Sequence, residues 1–130
     1  MERLTNCEII MNIDMIENIS GANTFFEVIL SATDKTKYKV ILKRVWDMRY
    51  SVENASINRW SDFRTRLPEG LIHNSVYVVE DSEYIKYFEH QISGTYPIDD
   101  LKHYIFSDNV DTTLDVLMLE NPVIVKIGYQ

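Results

Sequence analysis

Cysteine is almost missing from this 130-residue chain: Cys7 stands alone, so no internal disulfide can form and the disulfide-dense extracellular scaffolds are excluded. Glycine is scarce too. The four glycines, Gly21, Gly70, Gly94 and Gly128, are isolated from one another, which rules out a glycine-rich loop that wraps phosphates and with it nucleotide binding of that kind. Histidine occurs at 73, 90 and 103 only, with no pair at the spacing of about three to five residues that zinc sites use and no HExxH. We therefore expect no metal and no cofactor. No window approaches the roughly 18 apolar residues of a membrane span. The opening MERLTNCEIIMNIDMIEN carries acids inside its apolar run and no small-residue cleavage site, which disfavours a secretory leader. These absences lead to the expectation of a cytoplasmic protein, in which the sequons at Asn18 and Asn54 are chance matches.

What is present suits a packed core. With 45% hydrophobic and 12% aromatic residues, a chain of this length reads as a single globular domain, 1–130. The net charge of −7 is unevenly placed: residues 1–33 carry −4, 34–66 carry +5 and 67–130 carry −8. A basic middle between acidic ends makes a dipolar surface able to steer a charged partner, although solvated strands use charge in the same way.

The clearest structural signal is SVYVVEDSEYIKYFEHQIS, Ser75 to Ser93. Val76 to Val79 is β-branched or aromatic throughout and suits a strand packed on both faces. Asp81 or Ser82 can then cap a helix, and Glu83 sets negative charge at the positive end of its dipole. Ile85, Phe88 and Ile92 share one face with Tyr84 at its edge, and Gly94 and Pro97 end the element, so an amphipathic helix is expected over about 82–93.

Elsewhere strands dominate. Cys7 to Ile13 reads as a first strand, Met15 to Ile19 as a helical turn or a continuation, and Ser20 to Asn23 as a break. Phe25 to Ser31 has one fully apolar face, and ATDKTK, Ala32 to Lys37, is a connector of hairpin length in which Asp34 can bond its own backbone. Alternation then runs from Tyr38 to Val52, longer than the usual strand of about five or six residues. A bend through a bulge near Arg44 is expected in preference to two abutting strands. Outward lysines would then guard an exposed strand. Glu53 to Arg66 fits a second short helix, about 53–64, through Ile57, Trp60 and Phe63. Leu67 to Asn74 reads as a loop. Leu101 to Ser107, Leu114 to Leu119 and Pro122 to Ile127 complete the apolar runs, with a polar turn over Asp108 to Thr112 and a proline that confines the last run to an edge or a first strand position. The fold class expected is α+β, mainly antiparallel sheet.

No catalytic constellation emerges. Asp47, Glu53, Glu80, Asp81, Asp99 and Asp100 could pair across a cleft, but sequence shows no such pairing, and acids on a small domain are mostly solvated. The basic stretch Lys35, Lys37, Lys39, Lys43, Arg44 and Arg49 interleaves with Tyr38, Trp46 and Tyr50. Those aromatics share the parity of Val40 and Leu42, on the core side away from the lysines, so nucleic-acid binding is not expected.

Three segments, VWDMRYSVENA (Val45 to Ala55), VEDSEYIKYFEHQISGTYPIDDLKHYIF (Val79 to Phe106) and DVL (Asp115 to Leu117), resemble a group of small uncharacterised bacterial proteins, some associated with immunity to secreted toxins. The likeness covers about half the chain and rests on apolar and capping residues, so it implies a shared fold and carries over no functional residue. It implies a non-enzymatic, cytoplasmic binding protein that occludes a basic partner such as a toxin through an acidic surface of the C-terminal half. Tyr84, Tyr87, Glu89, His90, Asp99 and Asp100 are the candidate partner-binding residues. The alternative is a small hydrolase or lyase pairing Asp81 or Glu89 with His90 or His103, and a third reading is a homo-oligomeric scaffold.

Overall fold

The computed structural model describes residues 2–52, 75–92, 100–108 and 112–129. They form nine strands and one helix: β1 (Arg3–Asn6), β2 (Ile13–Ala22), β3 (Phe25–Ala32), β4 (Thr36–Leu42), β5 (Val45–Val52), β6 (Val76–Glu80), α1 (Glu83–Ile92), β7 (Lys102–Ser107), β8 (Thr112–Met118) and β9 (Val123–Tyr129). The strands make two antiparallel sheets, a five-stranded one in the order β1-β6-β7-β8-β5 and a four-stranded one in the order β2-β3-β4-β9. The fold is strand-dominated, and neither sheet closes into a barrel.

Alternation builds the space between the sheets. Val28, Leu30, Val40 and Leu42 of the four-stranded sheet meet Val76, Tyr104, Phe106, Leu114, Val116 and Met118 of the five-stranded sheet in one buried cluster. Each side chain of this size contributes about 1.5–3 kcal/mol on full burial, so this face is the main stabilising layer. The opposite face of the five-stranded sheet is buried as well. Leu4, Tyr77, Val79 and Ile105 form one cluster there, and α1 packs Tyr84, Ile85, Phe88 and Ile92 against Leu101, Leu117, Trp46 and Leu119 in another. Trp46 and Phe88 meet edge to face, ring centroids 6.2 Å apart. The outcome is three layers, with the five-stranded sheet in the middle.

Short turns set the hairpins. Asn23 (φ 58°) and Lys35 (φ 72°) adopt the left-handed conformation between β2 and β3 and between β3 and β4. Asp34 Oδ1 accepts a hydrogen bond from the Thr36 amide at 3.0 Å, the local bond its residue type favours. Gly21 (φ 148°) permits a close approach in the first hairpin, since a Cβ there would meet the Phe25 carbonyl oxygen at 2.3 Å.

Several boundaries differ from those expected. Residues 7–12 are irregular, and β1 lies before them, because Cys7 to Met11 runs across the sandwich: Met11 O accepts from the Ser75 amide and Ser75 Oγ from the Ile13 amide. Ser20 to Ala22 continue β2, and only Asn23 and Thr24 turn. Tyr38 to Val52 is not one bent strand. Arg44, at φ 54°, takes the chain from the four-stranded to the five-stranded sheet, so β4 and β5 belong to different layers. A register shift between Val45 and Asp47 then turns Trp46 toward α1, away from the inter-sheet core where Val40 and Leu42 lie. β4 is internal, not exposed at an edge, and its lysines pair with acids of the same sheet, Lys37 with Glu17 on β2 across β3 (3.1 Å) and Lys39 with Glu27 on the adjacent β3 (3.7 Å). β9 does sit at an edge, directly after Pro122. The helix expected over Glu53 to Arg66, the loop at Leu67 to Asn74 and the helix stop at Gly94 and Pro97 lie outside the described residues.

Candidate functional site

The helix start is the centre of a buried polar chain. Ser82 precedes α1, and its Oγ accepts a hydrogen bond from the Ile85 amide at 3.1 Å, satisfying a first-turn donor that the helix cannot satisfy itself. Glu2 Oε2 accepts from the Glu83 amide at 2.8 Å and takes a second. Ser82 Oγ also lies 2.7 Å from His103 Nδ1, and His103 Nε2 lies 2.6 Å from Asp115 Oδ2. The chain runs from the helix cap through β7 to β8. Ser82, His103 and Asp115 are 3%, 0% and 1% exposed, so it is sealed beneath α1.

Hydrogen-bond logic limits where the protons sit. Ser82 Oγ accepts from Ile85 and keeps both a proton and a second lone pair for Nδ1, while the Asp115 carboxylate, an acceptor, faces Nε2. All three groups are satisfied this way, as burial requires. The residue types are those of a hydrolytic triad, but the wiring is inverted. A nucleophilic serine uses Nε2 and the orienting carboxylate Nδ1, whereas here the serine sits on Nδ1 and the carboxylate on Nε2.

Tyr84 closes the chain on one side. Its ring stands edge-on to His103, centroids 5.2 Å apart, and its hydroxyl donates to Asp47 Oδ2 at 2.6 Å. Burial, then the bond to Asp47, pushes the Tyr84 phenol far above the ordinary tyrosine range. The Arg49 guanidinium lies 3.9 Å from the Tyr84 ring centroid and 5.4 Å from that of Tyr87, a cation over two aromatic faces. At the exposed helix start, Lys86 bonds Asp81 at 2.7 Å and holds its carboxyl down to about 2.

Of the candidate partner-binding residues, Tyr84 is buried, and its polar end is turned to Asp47. Tyr87, Glu89 and His90 lie exposed on α1, and Asp100 is exposed just before β7. Asp99 lies outside the described residues. His103 meets neither Asp81 nor Glu89; its carboxylate is Asp115, which the candidate acids omit. One signal could have found it. Folding Leu101 to Ser107 against Leu114 to Leu119 about the turn at Asp108 places Tyr104 opposite Val116, which puts His103 and Asp115 on one face as diagonal neighbours.

Among the described residues, no cluster of His, Cys, Asp and Glu is arranged to hold a metal ion, and no helix is long and apolar enough to cross a membrane. No known family model, curated protein or solved structure matches the chain.

Proposed function

We propose that this chain is a non-enzymatic protein-binding domain whose contact surface is the outer side of α1, and that its partner is a basic protein, a secreted toxin being the kind that the likeness to immunity proteins suggests. The supporting observation is the sealed chain Ser82–His103–Asp115, which commits the groups best suited to catalysis to holding the helix on the sheet. α1 is thereby a rigid platform, and rigid elements present side chains at low entropic cost. Its outward residues are Glu83, Lys86, Tyr87, Glu89, His90 and Gln91, with Lys86 paired to Asp81 and Glu83 and Arg49 stacked beside Tyr87. Exposed tyrosine and arginine are the residue types that anchor interfaces, and the surrounding carboxylates favour encounter with a positive surface.

Co-expression with the product of the neighbouring gene tests this reading. The expected result is a complex on size exclusion and protection of the host cell, both weakened at least tenfold by Tyr87→Ala combined with Glu89→Lys. Absence of both complex and protection defeats it. The hydrolase reading has one observation in its favour, the Ser–His–Asp sequence of contacts. A fluorophosphonate probe decides it: labelling of Ser82 in the folded protein would establish an accessible nucleophile.

A further inference from the structure

Far from α1, on the inter-sheet side, the two sheets part. β5 alternates so that Met48 pairs with Val116, Tyr50 with Leu114 and Val52 with Thr112, which puts Met48, Tyr50 and Val52 on the face that looks toward the four-stranded sheet. Val116 and Leu114 are fully buried there, yet Tyr50 is 59% and Val52 47% exposed. Apolar residues thus occupy inward positions that no strand among the described residues covers. β5 is the last strand of one sheet and β2 the last of the other, so the gap lies between two sheet edges. A register shift in β2 between Ile16 and Asn18 places an extra residue, Glu17, at this edge. A cavity of about 450 Å3 results, floored by Ile16, Ile19, Met48 and Leu114 and rimmed by Asn18 and Tyr50.

We propose that this cavity binds a neutral, largely apolar small molecule carrying one hydrogen-bonding group. Its volume falls within the roughly 300–1,000 Å3 of small-molecule sites, and its make-up, an apolar floor with few polar groups at the mouth, is that of such sites. Charge selects the class. Among the described lining residues Glu17 alone is charged, and its carboxylate is already paired with Lys37 at 3.1 Å, so these residues offer neither a counter-charge for an anion nor an unpaired carboxylate for a cation. The hydroxyl of Tyr50 supplies the polar end. Among the described residues Tyr50 makes one long hydroxyl contact, 3.4 Å, to Thr112 Oγ1, which leaves its hydroxyl able to turn to a ligand. Met48 adds an unbranched, polarisable side chain that adapts to shape.

The site is on the opposite side of the five-stranded sheet from α1, so it stands or falls independently of the partner-binding reading. The test titrates the intact protein with the neutral probe N-phenyl-1-naphthylamine and with its anionic relative 8-anilinonaphthalene-1-sulfonate, following fluorescence, with light scattering at each concentration. Saturable one-to-one binding of the neutral probe, at least tenfold tighter than the anionic one, is expected. Ile19→Arg should abolish it by filling the cavity, and Tyr50→Ala, at an exposed position, should weaken it several-fold while leaving the thermal transition in place. Lack of saturable binding, or binding that Ile19→Arg leaves intact, overturns the proposal. So does a concentration-dependent dimer that excludes the probe, since a second copy would then be the occupant.

Discussion

β8 and β9 are each seven residues long and adjacent in the chain, yet every residue of β8 is buried while β9 exposes Val123, Val125 and Ile127 at 47%, 41% and 47%. Composition does not account for this. β8, TTLDVLM, holds two threonines and an aspartate, and β9, VIVKIGY, is the more apolar of the two. Position does. β8 lies between β7 and β5 in the middle layer, with a sheet on one side and α1 on the other, whereas β9 is an edge of an outer sheet. Burial is thus set by the layer a strand joins, and the polar residues of a middle strand must find partners there, as Asp115 does in His103.

The contrast can be broken at Asp115. Asp115→Ala leaves His103 without its hydrogen-bond partner in a fully buried site, and should cost up to about 3 kcal/mol in urea unfolding. The double variant with His103→Ala should cost much less than the sum of the two single variants, because the residues act as one unit. Of similar size is the apolar comparison between the strands. Leu114→Ala in β8 should cost about 2–5 kcal/mol, against less than about 0.5 kcal/mol for Val125→Ala in β9. Equal losses in the two strands would refute the layer argument.

A smaller, pH-dependent effect distinguishes the two faces of the middle sheet. On the α1 side, Tyr84 is held protonated by burial and by its bond to Asp47; on the inter-sheet side, burial first, then the nearby Glu8 and Cys7, pushes Tyr104 up to about 12. In the unfolded chain both phenols ionise near pH 10. Above that pH the unfolded state holds fewer protons than the folded one, so stability must fall as pH rises. Thermal melts stepped upward from pH 9, read beside tyrosinate absorbance, should show the melting temperature dropping before these phenols ionise. Tyr84→Phe should flatten part of that fall.

Much of the frame was legible from local pattern. Phe25 to Ser31, Val76 to Val79 and the helix over about 82–93 had periodicity and capping residues that agree with one another, and all three stand as strand, strand and helix. The change of sheet at Arg44 was hidden because parity carries on through it; only a left-handed backbone, unusual at arginine, separates β4 from β5. Tyr84 appeared at the edge of the helix face by angle, but the bulged β5 carries Asp47 and Trp46 beneath α1 and moves the buried centre toward it. Asp115 was the least visible. An aspartate in an alternating strand looks solvated until the strand acquires a layer on both sides.

The pairing of β1 with β6 sets a timetable for synthesis. Arg3 lies opposite Glu80 and the two side chains bond, 77 residues apart in the chain. At about 5–20 residues per second, β1 leaves the ribosome roughly 4–15 s before the strand it needs. β2, β3 and β4 can pair as hairpins during that interval, so the four-stranded sheet has most of its order while the N-terminal strand still waits. Slowing translation between Val52 and Ser75 would lengthen that wait without altering a single native contact.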